Sequence, residues 1–547
     1  MAITATLTTV GVPTNFTATP NTASGTLPAG TYYYKIIAVV SSSVLSTFNH
    51  YQSAPSAEIS AVLGATGKVD LSWTAVAGAT GYMIWRTKVS GDYRHKVVYS
   101  GGVTSIYYKC KVLRPSTSDN YQRHTTTGTT YSDDGTVTTT EASQGIYAYE
   151  HFDYGIPKIS ISGGDSTTPL SMEYLYQQDV TNAWGVITRT GDAIVGYTYE
   201  VKALIYATAS VYWREEKYFN TWILRSGLYL VGSTSDVQLG IESSYNARTN
   251  GVRIIAPAHT GYYSAASIAF GGTSKFYGCE FICKNTQYEG FTADNLYAVS
   301  GSDASQTGRL YIQFNALYTL KDCNFFGSGF ANSFAGGSAF LIERCNLRLG
   351  SRTFSMSGTA TTGTVLDTYI YNIDSSCINI EGNISWTFRG GKLQSPTSGR
   401  DVLAAYEAKL TLIDTEFTES KLFFYSGQRT AGNYAKFTLQ NSVNLKLLNE
   451  QNSPIVGATI NLYDKNGTVV FTKTTDSSGL ITESIVTRAT YDPADNTNHF
   501  VTAGEKTDLS PFTLKIQKSG YNTYIEKFTM SDKVNWTIAM KRSNLTI

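Results

Sequence analysis

The stretch Phe276-Tyr-Gly-Cys-Glu-Phe281 recurs along the middle of the chain and decides the fold. Its copies are Leu320-Lys-Asp-Cys-Asn-Phe325, Ile342-Glu-Arg-Cys-Asn-Leu347, Val365-Leu-Asp-Thr-Tyr-Ile370, Phe388-Arg-Gly-Gly-Lys-Leu393, Leu412-Ile-Asp-Thr-Glu-Phe417 and, weakest, Thr438-Leu-Gln-Asn-Ser-Val443. The fourth residue of each copy defines the reference column, and its successive intervals are 44, 22, 23, 23, 24 and 26 residues. Near-constant spacing of this kind predicts a repeat architecture.

Two further expectations follow from this spacing. The first interval, 44, is twice 22, so we expect one divergent repeat near residue 301. We also expect an upstream copy at Val252-Arg-Ile-Ile-Ala-Pro257, 24 residues before Cys279.

Each repeat alternates between inward and outward side chains after a corner. Positions three before and two after the reference column are apolar, the reference residue is mostly small, and the residue after it is mostly polar. This period of two is that of a β-strand. The residue before the reference column tolerates the left-handed backbone of a corner in five copies, at Gly278, Asp322, Asp367, Gly390 and Asp414.

Short strands joined by corners bury a core only when copies stack, as in a solenoid. No window shows sustained helical periodicity, and the Asn ladder of leucine-rich repeats is missing. Residues 226–443 resemble the right-handed parallel β-helix of pectate lyases, phage tailspikes and related adhesins. We therefore expect an all-β protein in which residues 142–225 form a β-rich linker and cap for the helix.

Residues 1–141 have a different pattern. They contain the alternating strand Gly30-Thr-Tyr-Tyr-Tyr-Lys-Ile-Ile-Ala38, then Val69-Asp-Leu-Ser-Trp73 and Tyr82-Met-Ile-Trp-Arg86. These segments resemble a fibronectin type III β-sandwich, although the Tyr-rich strand precedes the Trp strand, which suggests a permuted order. The resemblance implies a module that docks to a larger particle.

Residues 444–547 carry three signatures in order. Ser453-Pro-Ile-Val-Gly-Ala458 is followed by Thr475-Asp-Ser-Ser-Gly479 and by Lys518-Ser-Gly-Tyr521. Together they resemble the carboxypeptidase regulatory-like (transthyretin-like) β-sandwich, which is a non-catalytic module. The predicted architecture is thus a right-handed parallel β-helix flanked by two β-sandwich domains.

Composition excludes several functions. The 547 residues carry a net charge of +1, which provides no basic field for nucleic acid phosphates. No apolar run reaches the roughly 18 residues of a membrane span, and the N-terminus lacks the pattern of a signal peptide. No motif indicates a cofactor or metal site. The six cysteines allow disulfides, but in a chain made in the cytoplasm we expect free, buried thiols.

Candidate catalytic residues lie in the late repeats. Asp414, Glu416 and Glu419 could form the acidic groove of a glycosidase or lyase. The competing interpretation is that they are corner and solvent-exposed strand positions, since Asp tolerates the left-handed backbone that a corner requires. Trp386 is either a core residue or a sugar platform, and the abundant Tyr suits both strand surfaces and glycan contacts.

The functional hypothesis rests largely on these resemblances. We expect a non-enzymatic structural and host-attachment protein on the virion surface of a tailed bacteriophage, bound to other virion proteins through its N-terminal region. Its partner is a host surface polysaccharide or protein, and a homotrimer is possible. The alternatives are a tailspike polysaccharide depolymerase and a secreted bacterial adhesin.

Overall fold

The computed structural model describes residues 2–40, 51–91, 122–135, 155–215, 220–224, 228–230, 235–242, 251–257, 268–284, 312–314, 318–329, 340–352, 354–357, 362–372, 376–405, 407–425, 434–493 and 497–543. As predicted, the regular structure in these ranges is overwhelmingly β-strand. The helical segments among these residues are α1 (Met172–Asn182) and the 3-10 turns Glu419–Lys421 and Ala503–Glu505.

The strands follow one another along the whole chain. The first third contains β1 (Thr4–Thr8), β2 (Thr17–Asn21), β3 (Gly30–Val40), β4 (Tyr51–Gln52), β5 (Ile59–Leu63), β6 (Lys68–Ser72), β7 (Gly81–Thr87), β8 (Gln122–Thr126), β9 (Thr130–Asp133), β10 (Lys158–Gly163), β11 (Ile187–Asp192), β12 (Gly196–Val201) and β13 (Leu204–Glu215). The middle contains β14 (Thr221–Leu224), β15 (Leu228–Leu230), β16 (Asp236–Leu239), β17 (Arg253–Pro257), β18 (Ile268–Phe270), β19 (Thr273–Tyr277), β20 (Glu280–Lys284), β21 (Ile312–Phe314), β22 (Tyr318–Lys321), β23 (Asn324–Gly329), β24 (Phe340–Glu343), β25 (Asn346–Arg352), β26 (Phe354–Ser357), β27 (Thr362–Leu366) and β28 (Tyr369–Asn372). The remainder contains β29 (Ser376–Glu381), β30 (Ser385–Arg389), β31 (Lys392–Gln394), β32 (Arg400–Ala405), β33 (Lys409–Ile413), β34 (Leu422–Tyr425), β35 (Lys436–Leu448), β36 (Thr459–Tyr463), β37 (Val469–Thr474), β38 (Ser484–Tyr491), β39 (His499–Phe500), β40 (Lys506–Asp508), β41 (Phe512–Gln517), β42 (Tyr524–Phe528) and β43 (Val534–Ala539).

The chain forms two compact units. The first comprises Met1–Phe334, Cys345–Phe354 and Asn372–Ser375, and the second comprises Ala335–Arg344, Ser355–Tyr371 and Ser376–Ile547.

The N-terminal part of the first unit consists of antiparallel sheets. One sheet has the order β2-β6-β9, and the other has the order β4-β3-β7-β8 with β5 also paired to β3. Alternation along β3 places Tyr32, Tyr34 and Ile36 in a core shared with Trp73, whose ring packs edge-on against Tyr82 at 5.1 Å. The strands expected around residues 30–38, 69–73 and 82–86 are therefore present.

The rest of the first unit contains ladders of parallel strands. One ladder runs through β12, β14, β17, β20, β23 and β25. Its register aligns one column of buried side chains, namely Tyr199, Trp222, Ile254, Phe281, Phe325 and Leu347. A second ladder, β13-β16-β19-β22, aligns Phe276 with Leu320. Phe281, Phe325 and Leu347, like Phe276 and Leu320, are apolar positions that the repeat predicts, whereas Tyr199, Trp222 and Ile254 were not among them.

The helix α1 was not predicted from the sequence. Its buried residues are Met172, Leu175 and Asp179, so a carboxylate interrupts the apolar stripe by which helices are recognised. Asp179 is buried because it accepts backbone N–H groups just beyond the end of the helix, including that of Ile187 at 2.7 Å. The Ser171 hydroxyl caps the N-terminus by accepting the Tyr174 N–H at 3.1 Å.

The second unit also contains parallel ladders. Strands β24, β27, β30, β33 and β35 pair in parallel, as do β29, β32 and β34. The first of these aligns a buried column formed by Ile342, Val365, Phe388, Leu412 and Leu439. Trp386 is a core residue, because it is buried and its ring lies 4.8 Å from that of Phe340.

The C-terminal part of the second unit is built on β35. This 13-residue strand continues beyond the parallel ladder and pairs antiparallel with β38 and parallel with β43. A four-stranded antiparallel sheet, β37-β36-β41-β42, supplies the other apolar face. Leu445, Leu462 and Leu514 belong to the core that the two sheets share.

The register corrects three details of the predicted repeat. Phe281 pairs directly with Phe325, so β20 and β23 are neighbouring strands of the ladder despite the 44-residue interval, and the position near residue 301 lies outside the described residues. The upstream copy is present, but Arg253 pairs with Glu280, which places Val252 rather than Ile255 opposite Cys279. Leu439, not Thr438, pairs with Leu412. Spacing alone could not distinguish insertions or bulges from whole repeats.

The corners and the reference column behave as expected. Positive φ angles occur at Gly278 (60°), Asp322 (55°), Asp367 (45°), Gly390 (68°) and Asp414 (49°), and also at Arg344 (52°). In the reference column, Cys279, Cys323 and Cys345 are buried, as is Cys377 elsewhere. Cys110 and the side chain of Cys283 lie outside the described part of the chain.

Candidate functional site

Asp414 is a structural corner residue. Its left-handed backbone ends β33, and its N–H donates to the Gln440 carbonyl at 3.1 Å. The carboxylate accepts the backbone N–H of Ser442 at 2.7 Å and the Asn441 amide at 3.4 Å. The carboxylate thus fixes the path of β35 where that strand leaves the parallel ladder.

Glu416 lies on the surface. Its side chain is 68% exposed and forms an ion pair with Lys392 on the preceding parallel strand. The hydrogen bond from this pair raises the pKa of Lys392. The backbone of Glu416 continues the ladder, since its N–H donates to the Gly391 carbonyl and its carbonyl accepts the Leu393 N–H. An exposed pair of this kind stabilises a protein little.

Glu419 lies in a network of cations and a phenol. Its carboxylate accepts hydrogen bonds from Lys506 at 2.6 Å, from Arg488 at 3.2 Å and from the Tyr491 hydroxyl. Burial acts to raise the pKa of Glu419, but the hydrogen bonds from Lys506 and Tyr491 and the charge of Arg488 outweigh it and lower the pKa. Glu419 therefore joins its 3-10 turn to β38 and β40.

The three sequence-predicted carboxylates do not converge on shared partners. Asp414 bonds to β35, Glu416 pairs with β31, and Glu419 pairs with β38 and β40. A glycosidase acid needs a raised pKa, and the pKa of Glu419 is lowered. Their partners are remote in sequence, so spacing within residues 414–419 could not reveal these separate roles.

A second polar cluster in the late repeats was missed by sequence reasoning. Asp401 is buried and accepts the Ser395 hydroxyl at 2.6 Å, the Ser395 N–H at 3.0 Å and the Thr418 N–H at 2.7 Å. Lys421 donates to the carbonyls of Ser395 and Pro396 at 3.0 and 2.8 Å. Carboxylate and ammonium are both directed at backbone groups, so the cluster braces the loop between β31 and β32.

An aromatic and charged cluster forms where α1 meets the β11–β12 hairpin. The Arg189 guanidinium lies 4.3 Å from the ring centre of Tyr176 and 4.5 Å from that of Tyr197. Its Nη1 donates to both oxygens of Glu173 at 2.6 and 2.7 Å. The Tyr199 hydroxyl also donates to Glu173, at 2.6 Å. The only sequence signal was the i, i+3 spacing of Glu173 and Tyr176 on an unpredicted helix.

Glu215 is a further carboxyl group that contacts α1 and has a perturbed pKa. It is buried at the end of β13, where burial raises its pKa to about 7 despite hydrogen bonds from the Met172 N–H at 3.1 Å and the Asn220 amide at 2.9 Å. The Glu215 carboxylate thus accepts the Met172 N–H, one of the backbone donors in the first turn of α1 that have no partner within the helix.

In the part of the chain that the structure describes, no group of three or more His, Cys, Asp or Glu residues could hold a metal ion. None of the helices described is long and apolar enough to cross a membrane.

Comparisons with known proteins identify no family. No family model matches the chain, and no curated protein gives a significant match. One solved structure that matches is the 3-chlorocatechol 1,2-dioxygenase from Rhodococcus opacus 1CP, with a TM-score of 0.13 and 10% identity. The match covers 19% of this chain and 60% of that chain. A similarity this low carries no information about function.

Proposed function

We propose that the chain is a structural and host-attachment protein on the surface of a tailed bacteriophage particle. Its core would be a right-handed parallel β-helix between a fibronectin type III-like and a carboxypeptidase regulatory-like β-sandwich. The observation that carries the proposal is the in-register stacking of buried columns, such as Phe281 on Phe325 and Phe388 on Leu412. Such stacking makes a rigid support whose outer surface is free for contacts.

The chemistry of the late repeats favours attachment over catalysis. The carboxylates of Asp414, Glu416 and Glu419 each bind a group of the protein itself. A depolymerase of the glycosidase type would need two of them to face one sugar bond, with one kept protonated. The tailspike depolymerase therefore stands as the alternative to be tested, together with the secreted adhesin.

The proposal assigns partners by region. The N-terminal antiparallel sheets would dock to other virion proteins, and the parallel ladders or the C-terminal sheets would contact host polysaccharide or protein. The chain would assemble as a homo-oligomer, of which a trimer is one form.

Localisation is tested on purified particles. Antibodies against the recombinant chain are expected to label density-gradient-purified virions in electron micrographs. Labelling of particle-free secreted material, with unlabelled virions, would overturn the virion assignment and favour the adhesin.

Catalysis is tested on host polysaccharide. The purified chain is incubated with capsule and lipopolysaccharide preparations, and new reducing ends and unsaturated sugars are measured over time. We expect none above the heat-inactivated control. Sustained release, lost in a Glu419→Gln variant and retained in Glu416→Gln, would establish the depolymerase instead.

A further inference from the structure

One face of α1 carries a set of side chains unlike the rest of the helix. Glu173, Tyr176, Gln177 and Val180 follow the i, i+3, i+4, i+7 spacing that aligns residues on one side of a helix. The opposite side buries Met172, Leu175 and Asp179. The first set therefore faces away from the core, and Val180 is 57% exposed.

The neighbouring hairpin completes this surface. Arg189 of β11 lies between the rings of Tyr176 and Tyr197, at 4.3 and 4.5 Å from their centres. Both tyrosines are partly exposed. The result is a surface of two aromatic rings separated by a planar cation, which we call the Tyr176–Arg189–Tyr197 face.

Hydrogen bonds hold this face in one arrangement before any ligand arrives. Glu173 accepts two bonds from Arg189, one from the buried Tyr199 hydroxyl and one from Gln177 at 2.7 Å. The Arg189 and Glu173 side chains still expose 25% and 39% of their surfaces. A preorganised surface loses little conformational entropy when it binds.

The charges of the face cancel, which restricts the ligand class. The one cation, Arg189, is matched by the one carboxylate, Glu173, so neither an anionic nor a cationic ligand gains a net attraction. Aromatic rings offer flat apolar surface, and the guanidinium of Arg189 and the amide of Gln177 offer hydrogen-bonding groups at its edge. A neutral sugar ring presents the matching combination, with an apolar C–H face and hydroxyl groups around its edge.

We propose that the Tyr176–Arg189–Tyr197 face binds a neutral saccharide, with the sugar stacked on a tyrosine ring and its hydroxyls bonded to Arg189 or Gln177. This site rests on the proposed attachment function and names its ligand class and its residues.

The test uses the full chain on an array of immobilised bacterial surface oligosaccharides, both neutral and acidic. We expect wild type to bind neutral members. Tyr176→Ala is expected to weaken binding about tenfold through loss of one stacking surface, whereas Tyr425→Ala, which removes another exposed tyrosine, leaves it unchanged.

A second pair of variants guards against misfolding. Val180→Arg places a long charged side chain on the exposed face without altering a packed group, and Val469→Arg does the same at a valine of similar exposure, 51%, on β37. Only Val180→Arg is expected to abolish binding, with both variants melting as wild type does.

Each contrary outcome has a defined meaning. Equal binding by wild type, Tyr176→Ala and Val180→Arg overturns the site while leaving the attachment function intact. Binding restricted to acidic oligosaccharides overturns the neutral ligand class. If antibodies locate the chain on virions but it binds no glycan, this site alone is overturned. If the chain is absent from virions, the proposed function is overturned.

Discussion

Side chains of the reference column have the same kind of hydrogen-bond partner as well as a similar small size. The Cys323 thiol lies 3.5 Å from the Phe276 carbonyl, and the Thr415 hydroxyl lies 3.2 Å from the Phe388 carbonyl. Both carbonyls belong to the preceding repeat, three positions before its reference residue. A small side chain with a donor therefore suits this column, which explains the exchange of Cys for Thr along it.

Burial predicts that these thiols are unreactive. Cys323 is buried, and desolvation together with the adjacent Cys279 and Cys345 thiols raises its pKa well above the usual value. Because the thiolate is the nucleophile, we expect Cys279, Cys323, Cys345 and Cys377 to resist a thiol reagent at pH 8 in a Cys110→Ser, Cys283→Ser background. All four should react in denaturant. Rapid labelling of the native protein, read by mass spectrometry, would contradict this burial.

Gly363 is a position in the second unit where a single methyl group should disturb the packing of two aromatic rings. It pairs with Phe340 on one side and Trp386 on the other, and the two rings meet beside it. An added Cβ would lie 1.7 Å from the Phe340 ring. We expect Gly363→Ala to reduce the free energy of unfolding by about 1–3 kcal/mol, measured by calorimetry. Gly64→Ala is the control, because no atom lies within 4 Å of its added Cβ.

Among the elements, α1 depends on a carboxyl group that titrates near neutrality. The pKa of Glu215 is raised by burial from 4.5 to about 7 in the folded chain. Between pH 4.5 and 7 the folded state binds more protons at Glu215 than the unfolded state does, so the contribution of Glu215 to stability is greatest below pH 4.5 and falls as pH rises to 7. The loss is about 3 kcal/mol.

Hydrogen exchange of the α1 amides measures this effect locally. Their opening free energy should fall between pH 5 and pH 8 in wild type, after correction for intrinsic exchange rates, and should be flat in Glu215→Gln. The slope of the opening free energy against pH is the relevant quantity, because glutamine also disturbs the hydrogen bond between residue 215 and Asn220. The Asn220 oxygen already accepts the Tyr197 N–H and so is not a ready acceptor for the new amide. An unchanged slope in the variant would show that another group titrates.

Elements with a local signal were predictable, and those held by remote partners were not. The parallel strands follow from alternation and from corner residues such as Asp367, whose left-handed backbone was expected. Helix α1 was hidden because Asp179 occupies a core position for the sake of N–H groups beyond the helix end. Likewise, Glu419 was noticed, but its partners Arg488 and Lys506 come from strands about 70 and 90 residues later.

Across the whole molecule, antiparallel strands cover ends of the parallel ladders. In the first unit, β1 pairs antiparallel with β10 and β11 does so with β12. In the second unit, β38 covers β35 and β39 covers β34. An uncovered parallel edge would offer unpaired N–H and C=O groups to another chain. The flanking segments therefore protect the repeat as well as extending it.

The shortest of these covering strands, β39, allows a direct test of whether an antiparallel strand protects the edge of a parallel ladder. His499 and Phe500 pair with Phe424 and Phe423, and the next residue, Val501, donates its N–H to the Leu422 carbonyl at 3.1 Å. Val501→Pro removes that donor and should release β39, whereas Val501→Ala keeps it. We expect the proline variant alone to show concentration-dependent self-association in sedimentation velocity, because its β34 edge is open to a second chain. If both variants sediment as wild type does, β39 is dispensable and protection of this edge must come from elsewhere in the chain.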